Sequence, residues 1–481
     1  MDLRRAMLFV AVTVTAVACA AVDARATYGA RTTADEPQYL LTALSIGEDL
    51  DLDISDEIAA ERYRPFSEVG LDEQTVVDSG GRRFIPHDPL LPALLAPSMR
   101  LGGWVLAKLT LAAMAGVLAA LTLWLAVRRF GVSVAPAALV VGAFGITPPL
   151  VSYGTQIYPE LPAALAVTAA IAALTGPLRT RGLVVAGIAL VALPWLGVKY
   201  VPVAAALAAL LVWRLWRSGR KVDLVWFGVA MVAAGLAYLA AHRIVYGGWT
   251  VYAAGDHFVD AGELSVVGND PDLPGRSRRL LGLLVDRGFG LAAWAPAYLL
   301  AIPATAGWLR TRPRGWGLLA LPMAVGWLTA TFVALTMHGW WWPGRQVVVI
   351  LPAVVVIVAW WAAQSRARLT AVLALATVGL LGWLWLVIEA SSGQLTLIVD
   401  FVDTANPLYR LSSRLLPDGQ HMTDLTGPLT TIWWLLAAGL AVLGWRSARP
   451  AHQDDDHGAA PVCDDEPHAA SSRHTDPARL G

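Results

Sequence analysis

Long runs of apolar residues, separated by polar segments, make up most of the 481-residue chain. Each run covers roughly 17 to 25 residues, enough for a helix to cross the ~30 Å hydrocarbon core of a bilayer. Because lipid offers no partner for backbone amides, such runs are predicted to be helices. The pattern therefore predicts an all-α polytopic membrane protein with about twelve transmembrane helices, near residues 6–22, 104–127, 133–150, 159–175, 182–196, 199–215, 224–243, 289–308, 315–336, 346–363, 370–389 and 429–445.

The stretch 182–215 is ambiguous, because its 34 residues, interrupted by Pro194 and Pro202, fit either one bent span or two. The positions of Arg and Lys decide the count. With twelve spans, every loop on one side of the membrane is short and basic, which is typical of the cytoplasmic side. With a single span at 182–215, the later basic loops would lie outside. We therefore predict two spans here and place both termini in the cytoplasm.

Three long segments, 23–103, 244–288 and 390–428, are predicted on the opposite, outer face of the membrane. Long loops over a rigid bundle are where binding and catalytic sites are commonly built. Residues 1–446 are thus predicted to form one transmembrane module. Residues 447–481 are rich in Asp, His, Ser and Pro and have no apolar pattern, which predicts a disordered cytoplasmic tail.

Composition agrees with a membrane protein and excludes several other classes. The chain is 56% hydrophobic and 15% charged, whereas soluble domains carry about 25% charged residues. Its formal net charge is zero, which gives no indication of a nucleic-acid partner. The two cysteines, Cys19 and Cys463, are too few for a disulfide framework or a zinc cluster.

Adjacent carboxylates, Asp35 and Glu36, stand about a dozen residues after the first span, at the start of the first outer loop. One interpretation is structural, since acidic residues are favoured in the first turn of a helix. The other is catalytic, since a carboxylate is a common general base. The dipeptide alone favours the structural interpretation, so the decision depends on what accompanies it.

Seven segments of the outer face, the first of which contains this pair, carry a family resemblance. They are 35–41 (DEPQYLL), 47–53 (GEDLDLD), 87–97 (HDPLLPALLAP), 158–162 (YPELP), 193–200 (LPWLGVKY), 282–291 (GLLVDRGFGL) and 340–345 (WWWPGR). In this order they resemble the GT-C fold glycosyltransferases, which use polyprenyl-phosphate sugars. The chain is most similar to the smaller bacterial members, those that resemble mannosyltransferases and aminoarabinose transferases. The resemblance implies a GT-C-like bundle with amphipathic helices in the first outer loop.

The implied reaction transfers a sugar from a polyprenyl-phosphate donor to an acceptor hydroxyl on the outer face of the cytoplasmic membrane. A hydroxyl needs a base as its bond to the sugar forms. The leaving phosphate is already acidic, so one carboxylate is sufficient. We predict Asp35 as that base, with Glu36 either orienting the acceptor or raising the pKa of Asp35 through like charge.

The donor phosphate requires cations at the same surface, and four basic residues lie at predicted outer ends of spans. Arg suits bidentate phosphate contacts and Lys a point charge. The alternative for each is a side chain that reaches the lipid head groups. The four candidates are Lys199, Arg345, Arg287 and Lys108.

Several further positions receive predictions. Glu160 either pairs with Lys199, binds the sugar, or is an ordinary acid in the first turn of a helix. His87 is a candidate for holding phosphate or acceptor, against the alternative of a solvated loop histidine. Trp340 to Trp342 are expected to stack on a sugar ring or to line a prenyl groove, and Glu389 is expected to be solvated.

The sequence shows no dedicated ligand set for a metal or cofactor, and members of the family differ in their need for a divalent cation. Asp49, Asp51 and Asp53 fit the first positions of a calcium-binding loop. However, Ile54 stands where that loop needs Gly and Ala60 where it needs Glu. The acceptor stays open among a cell-wall polysaccharide, a glycolipid and a protein hydroxyl.

Two functions of other classes compete with the transferase. A transporter or flippase of lipid-linked sugars would tend to show repeated halves and charged or broken helices near the middle of the membrane. The unusual charges of this chain instead lie at outer span ends, which favours the enzyme. A non-catalytic assembly partner on the same fold is the third alternative.

Overall fold

The α-helices follow the apolar runs of the sequence in a computed structural model that describes residues 2–254 and 271–448. In chain order they are α1 (Leu3–Cys19), α2 (Glu36–Glu48), α3 (Ser55–Ala59), α4 (Leu90–Phe130), α5 (Val134–Gly145), α6 (Glu160–Thr175), α7 (Thr180–Leu196), α8 (Val201–Arg217), α9 (Lys221–Val245), α10 (Leu273–Ser277), α11 (Arg279–Val285), α12 (Leu291–Trp294), α13 (Ala301–Thr311), α14 (Gly317–Phe332), α15 (Leu351–Ala362), α16 (Arg366–Ser391), α17 (Pro407–Ser412) and α18 (Thr426–Ser447). Short 3-10 helices cover Ser152–Gly154, Val198–Tyr200, Val251–Ala254, Pro296–Leu300, Arg345–Ile350, Phe401–Asp403 and Ser413–Leu415.

The predicted all-α polytopic membrane fold is confirmed. Every predicted span falls on a helix or on a short series of helices. Within the described residues, 6 helical segments are long and apolar enough to cross a membrane: Leu90–Phe130, Val198–Arg217, Lys221–Val245, Arg345–Ala362, Arg366–Ser391 and Thr426–Ser447. Shorter apolar helices are Val134–Gly145, Glu160–Thr175, Thr180–Leu196 and Gly317–Phe332.

Position in the bundle separates central from peripheral helices. α15 is almost entirely buried, and its 12 residues are all apolar. α9 and α18 are mostly exposed, and α9 presents large side chains such as Trp226, Val229 and Val232. A continuous apolar surface of this kind is stable in lipid, whereas in water it would drive association.

The ambiguous stretch 182–215 forms two helices. α7 ends at Leu196, a 3-10 turn covers Val198–Tyr200, and α8 begins at Val201. Pro202 lies in the first turn of α8, where the missing N–H has no intrahelical partner to lose. The break places Lys199 in the turn between the two helices.

The first outer loop is an ordered layer over one end of the bundle. It contains α2, α3, the first part of α4 and a small antiparallel hairpin of β1 (Val76–Val77) and β2 (Arg83–Phe84), in which Val76 pairs with Phe84. α4 changes direction at Gly103, whose φ of +62° is accessible mainly to glycine. The kink divides a segment in the loop from the span that follows, as the resemblance implied.

One sequence expectation fails at the end of α16. Glu389 is not solvated but 5% exposed. Its carboxylate accepts hydrogen bonds from the Thr404 hydroxyl and from the Ala405 amide at 3.0 Å. The prediction was wrong because the third outer segment folds back over the helix end and uses this carboxylate to satisfy its own backbone.

The predicted tail, 447–481, lies almost wholly outside the described residues, which end at 448. The same holds for 255–270 of the second outer segment. Residues Met1–Arg449 form one compact unit.

Candidate active site

A cavity of about 750 Å³ lies beneath the first outer loop, against α7, α9 and the end of α14. Its polar end is lined by Asp35, His87, Asp88, Lys199 and Arg345. Its apolar part is lined by side chains of α7 and α9 and by the segment after α14, among them Leu190, Val191, Met231, Leu239, Val333 and Leu335. The cavity therefore has a charged end and an apolar remainder.

Four charged side chains form a chain of contacts at the polar end. Arg345 donates from Nη2 to Asp35 Oδ2 at 3.0 Å and from Nε to Glu160 Oε1 at 2.9 Å. Lys199 Nζ donates to the same Glu160 oxygen at 2.6 Å. The two negative charges of the carboxylates and the two positive charges of Lys199 and Arg345 cancel, which lowers the free-energy cost of burying them. Of the alternatives for Glu160, pairing with Lys199 is present, and Arg345 is a second partner.

Each of these four charged residues lies at the start of a helix. Asp35 is the residue before α2, Glu160 is the first residue of α6, and Lys199 lies in the turn before α8. Arg345 follows Gly344, whose φ of +86° lies in the left-handed region that favours glycine. The fold thus brings four helix starts to one side of the bundle.

Aromatic rings hold Arg345 in place. Its guanidinium lies 4.0 Å from the ring centre of Tyr158 and 4.6 Å from that of Trp341. Such cation–π contacts fix the plane of the guanidinium without using its hydrogen bonds. Trp341 also lines the cavity, whereas Trp342 is fully buried in the core and Trp340 is 58% exposed. Tyr158 was not predicted, although it lies in the quoted 158–162 segment.

Electrostatics keep Asp35 ionised. Burial raises the pKa of Asp35, but His87 and the Arg345 guanidinium outweigh it, so the pKa lies below its ordinary value. This direction is opposite to the one predicted from like charge with Glu36. The His87 ring stacks on Tyr39 with centroids 4.9 Å apart, and its Nε2 lies 3.9 Å from Asp35 Oδ1. Burial lowers the pKa of His87, although the negative charge of Asp35 opposes this shift.

Glu36 faces away from the cavity and is completely buried. Its Oε2 accepts from the Thr33 amide at 2.9 Å and its Oε1 from the Ile157 amide at 2.6 Å. Both oxygens are therefore occupied by backbone donors from two different segments. This placement connects the loop to the bundle and does not favour contact with an acceptor.

Two of the predicted cations lie outside the cavity. Lys108 is 4% exposed and donates to the Arg31 carbonyl at 2.6 Å, on the Glu36 side of the loop. Arg287 donates to the Ser413 carbonyl at 2.9 Å and contacts Asp418 at 3.4 Å, so it fastens the third outer segment. An outer position along a span does not determine which side of the helix a residue occupies.

A buried cluster that the sequence did not reveal fixes the turn carrying Lys199. Asp88 accepts from Tyr238 Oη at 2.8 Å and lies 3.0 Å from His242 Nε2, while its second oxygen accepts from the Val198 amide at 3.1 Å. His242 Nδ1 lies 2.8 Å from the Tyr238 carbonyl, which can only accept. The cluster connects peripheral α9 to the loop and to the residue before Lys199.

Sequence comparisons find no counterpart for the chain: no protein-family model and no curated protein matches it. Among solved structures, it is similar to the crystal structure of ArnT from Cupriavidus metallidurans bound to undecaprenyl phosphate. The TM-score is 0.53 at 14% identity, over 93% of this chain and 74% of ArnT. At this identity the match shows the fold, which is the GT-C fold that the sequence motifs resemble.

Proposed function

We propose that the protein is a membrane glycosyltransferase that moves a sugar from a polyprenyl-phosphate donor to an acceptor hydroxyl. The observation that carries this proposal is the contact of Asp35 with Arg345 at the polar end of a cavity whose remaining wall is apolar. A base and a phosphate-binding cation are thereby adjacent, where a lipid-linked sugar would present its reacting carbon.

Asp35 is the proposed general base. The acceptor oxygen forms a bond to the anomeric carbon of the sugar, the bond from that carbon to the phosphate oxygen breaks, and the acceptor proton passes to the Asp35 carboxylate. The lipid phosphate leaves as an anion and needs no general acid. The low pKa of Asp35 keeps it ionised and ready to accept the proton at neutral pH.

Arg345 and Lys199 are the proposed phosphate-binding residues. Both donate to Glu160. When the phosphate enters, each cation would therefore replace a contact with a carboxylate oxygen by a contact with a phosphate oxygen. When the donor phosphate binds Arg345, Asp35 would lose part of its contact with this guanidinium. The pKa of Asp35 would then rise, and the carboxylate would become a stronger base. Glu160 then positions the two cationic side chains and is not a catalytic acid.

The apolar wall formed by α7 and α9 is the proposed place of the prenyl chain. Lipid-linked substrates need a polar end for the phosphate and an apolar path to the bilayer, and this cavity offers both. The ArnT structure, whose fold the chain shares, was obtained with undecaprenyl phosphate. Undecaprenyl phosphate is therefore the donor carrier that we propose to test first.

The remaining predicted positions receive other roles in the proposal. Glu36 and Lys108 anchor the first outer loop, and Arg287 anchors the third outer segment. His87 contributes by packing against Tyr39 and bordering Asp35, as a contact for the acceptor. We place the cavity on the outer face of the cytoplasmic membrane, with both termini in the cytoplasm.

The test is a mass analysis of envelope glycans and lipids from a deletion strain complemented with the wild type or with Asp35→Asn. The proposal expects a glycan or lipid that is missing in the deletion strain, is restored by the wild type and is not restored by Asp35→Asn at equal protein abundance. Restoration by Asp35→Asn would favour a transporter, a flippase or an assembly partner, none of which needs this base.

A further inference from the structure

A second group of carboxylates lies at the far end of α2 from Asp35. Asp49 follows the last residue of α2, while Asp56 and Glu57 lie in α3. One carboxylate oxygen of each lies within 4.8 Å of the other two, and this is the group of potential metal ligands that the described residues contain. Asp49 and Asp56 are exposed, whereas Glu57 is 2% exposed.

The buried member of this group has an unsatisfied oxygen. No donor in the described residues reaches Glu57 Oε2, although the atom is shielded from solvent. A buried carboxylate oxygen without a partner is costly, and such groups in native proteins normally have a donor, a water or an ion. The group therefore has a place for one more positive charge.

The positive side chain beside the group is already engaged. Arg62 donates to both oxygens of Glu48, at 3.1 and 2.9 Å. Two neighbouring acids of the loop are also engaged: Asp51 accepts from the Ser45 hydroxyl, and Asp53 accepts from the Arg83 amide at 2.9 Å. Arg62 thus leaves Glu57 Oε2 without a donor among the described residues.

Three carboxylate oxygens this close together suit a hard divalent cation. Calcium takes six to eight oxygen ligands in flexible geometry, whereas magnesium requires a near-ideal octahedral set. Calcium also accepts mixed ligand numbers completed by water, which the exposure of Asp49 and Asp56 permits. Hard carboxylate oxygens without His or Cys disfavour zinc and copper.

We propose that Asp49, Asp56 and Glu57 form a calcium site that fastens the end of α2 to α3. This site differs from the calcium loop considered for Asp49, Asp51 and Asp53, because only Asp49 is common to both. It lies beyond the cavity and does not depend on the proposed transfer reaction. Its effect is to fix the far end of the helix that begins beside Asp35.

The test measures calcium binding to the full-length protein in lipid nanodiscs, after removal of divalent ions with a chelator. We expect one saturable site with a Kd between about 0.1 and 1 mM, the range of extracellular calcium modules. Magnesium should bind at least about tenfold more weakly, because it requires a tighter and near-octahedral ligand set. The wild type should also unfold at a higher temperature with calcium than without it.

Three variants decide the origin of any binding. Glu57→Gln and the exposed Asp49→Asn should each weaken calcium binding at least about tenfold, since each removes a charged ligand. Asp424→Asn, an exposed acid of the third outer segment, is the matched control and should bind as the wild type does. Asp49→Asn keeps the test valid if Glu57→Gln fails to fold.

Two results would overturn the proposal. The first is the absence of saturable binding up to about 10 mM calcium, ten times the weakest expected affinity. The second is unchanged affinity in both Asp49→Asn and Glu57→Gln. A Glu57→Gln variant that is more stable than a non-binding wild type would show that a shared proton, and not an ion, occupies the group.

Discussion

The guanidinium of Arg345 contacts the carboxylate of Asp35 at 3.0 Å, although 310 positions separate the two residues in the chain. The contact joins the first outer loop to the start of a central helical segment and leaves both side chains on the wall of the cavity. Because Arg345 also holds Glu160, one cation organises the proposed base and the acid that positions Lys199.

Lys199 is predicted to hold the donor phosphate. Replacing it by Gln should weaken binding of undecaprenyl phosphate to the protein in nanodiscs by about 10- to 100-fold, which corresponds to the loss of one charged hydrogen bond. Lys221→Gln, a change in an exposed lysine at the start of α9, is the matched control and should leave the affinity unchanged. An equal loss of affinity in both variants would show that the effect comes from the overall positive charge of the protein and not from a contact in the cavity.

Glu36 is predicted to be structural despite its position next to Asp35. A Gln at this site keeps one acceptor oxygen and turns an NH2 group toward a backbone amide, either of Thr33 or of Ile157. The change should lower the free energy of unfolding by about 1–3 kcal/mol. Glu48→Gln, at the exposed end of the same helix, should cost less than about 1 kcal/mol, because surface ion pairs contribute little. Thermal unfolding of the two variants measures the difference.

The Asp88 cluster is predicted to position Lys199 through the Val198 amide. Tyr238→Phe removes one hydroxyl donor from the buried carboxylate and should destabilise the protein by about 1.5–3 kcal/mol. It should also weaken binding of undecaprenyl phosphate, an effect that a purely structural role would not produce. Tyr28→Phe, at a side chain that is 67% exposed, should change neither quantity.

Glu57 gives a pH dependence whose sign is fixed by the direction of its pKa shift. Its pKa rises from 4.5 to about 8 on folding, so the folded protein binds the proton more tightly than the unfolded chain. Without divalent ions, this group therefore contributes most stability below pH 4.5 and loses that contribution as the pH rises toward 8.

Thermal unfolding over this pH range, in the presence of chelator, measures the contribution of Glu57. Arg62, Asp49 and Asp56 face the same group and are present in both proteins compared, the wild type and Glu57→Gln. The stability of the wild type should fall more steeply with rising pH than that of the variant. Parallel curves would refute the assignment.

The helices were predictable because lipid imposes a simple length and hydrogen-bonding rule on the sequence. The break between α7 and α8 was predictable from charge, since the positions of Arg and Lys required two spans at 182–215. The hairpin of Val76–Val77 with Arg83–Phe84 was not, because two-residue strands carry no alternating pattern. Glu389 was misjudged for a related reason: its partners come from a segment that folds back after the span.

The site was predictable only in part. The ordered motifs contained Asp35, Glu160, Lys199 and Arg345, and the fold brings these four together. The same reasoning included Lys108 and Arg287, whose side chains point into other layers of the protein.

The Asp88–His242 contact spans 154 positions and has no local sequence signal. Periodicity shows only that Tyr238 and His242 share one face of α9, not what that face meets.

The most direct test of Asp35 as the general base is the rate of glycan transfer by Asp35→Asn relative to the wild type. Membranes with equal amounts of each protein would be supplied with the donor and acceptor identified from the deletion strain. We expect a rate lower by about 10²- to 10⁴-fold, the usual contribution of a general base, with undecaprenyl phosphate binding retained. Transfer by Asp35→Asn at the wild-type rate would contradict this role.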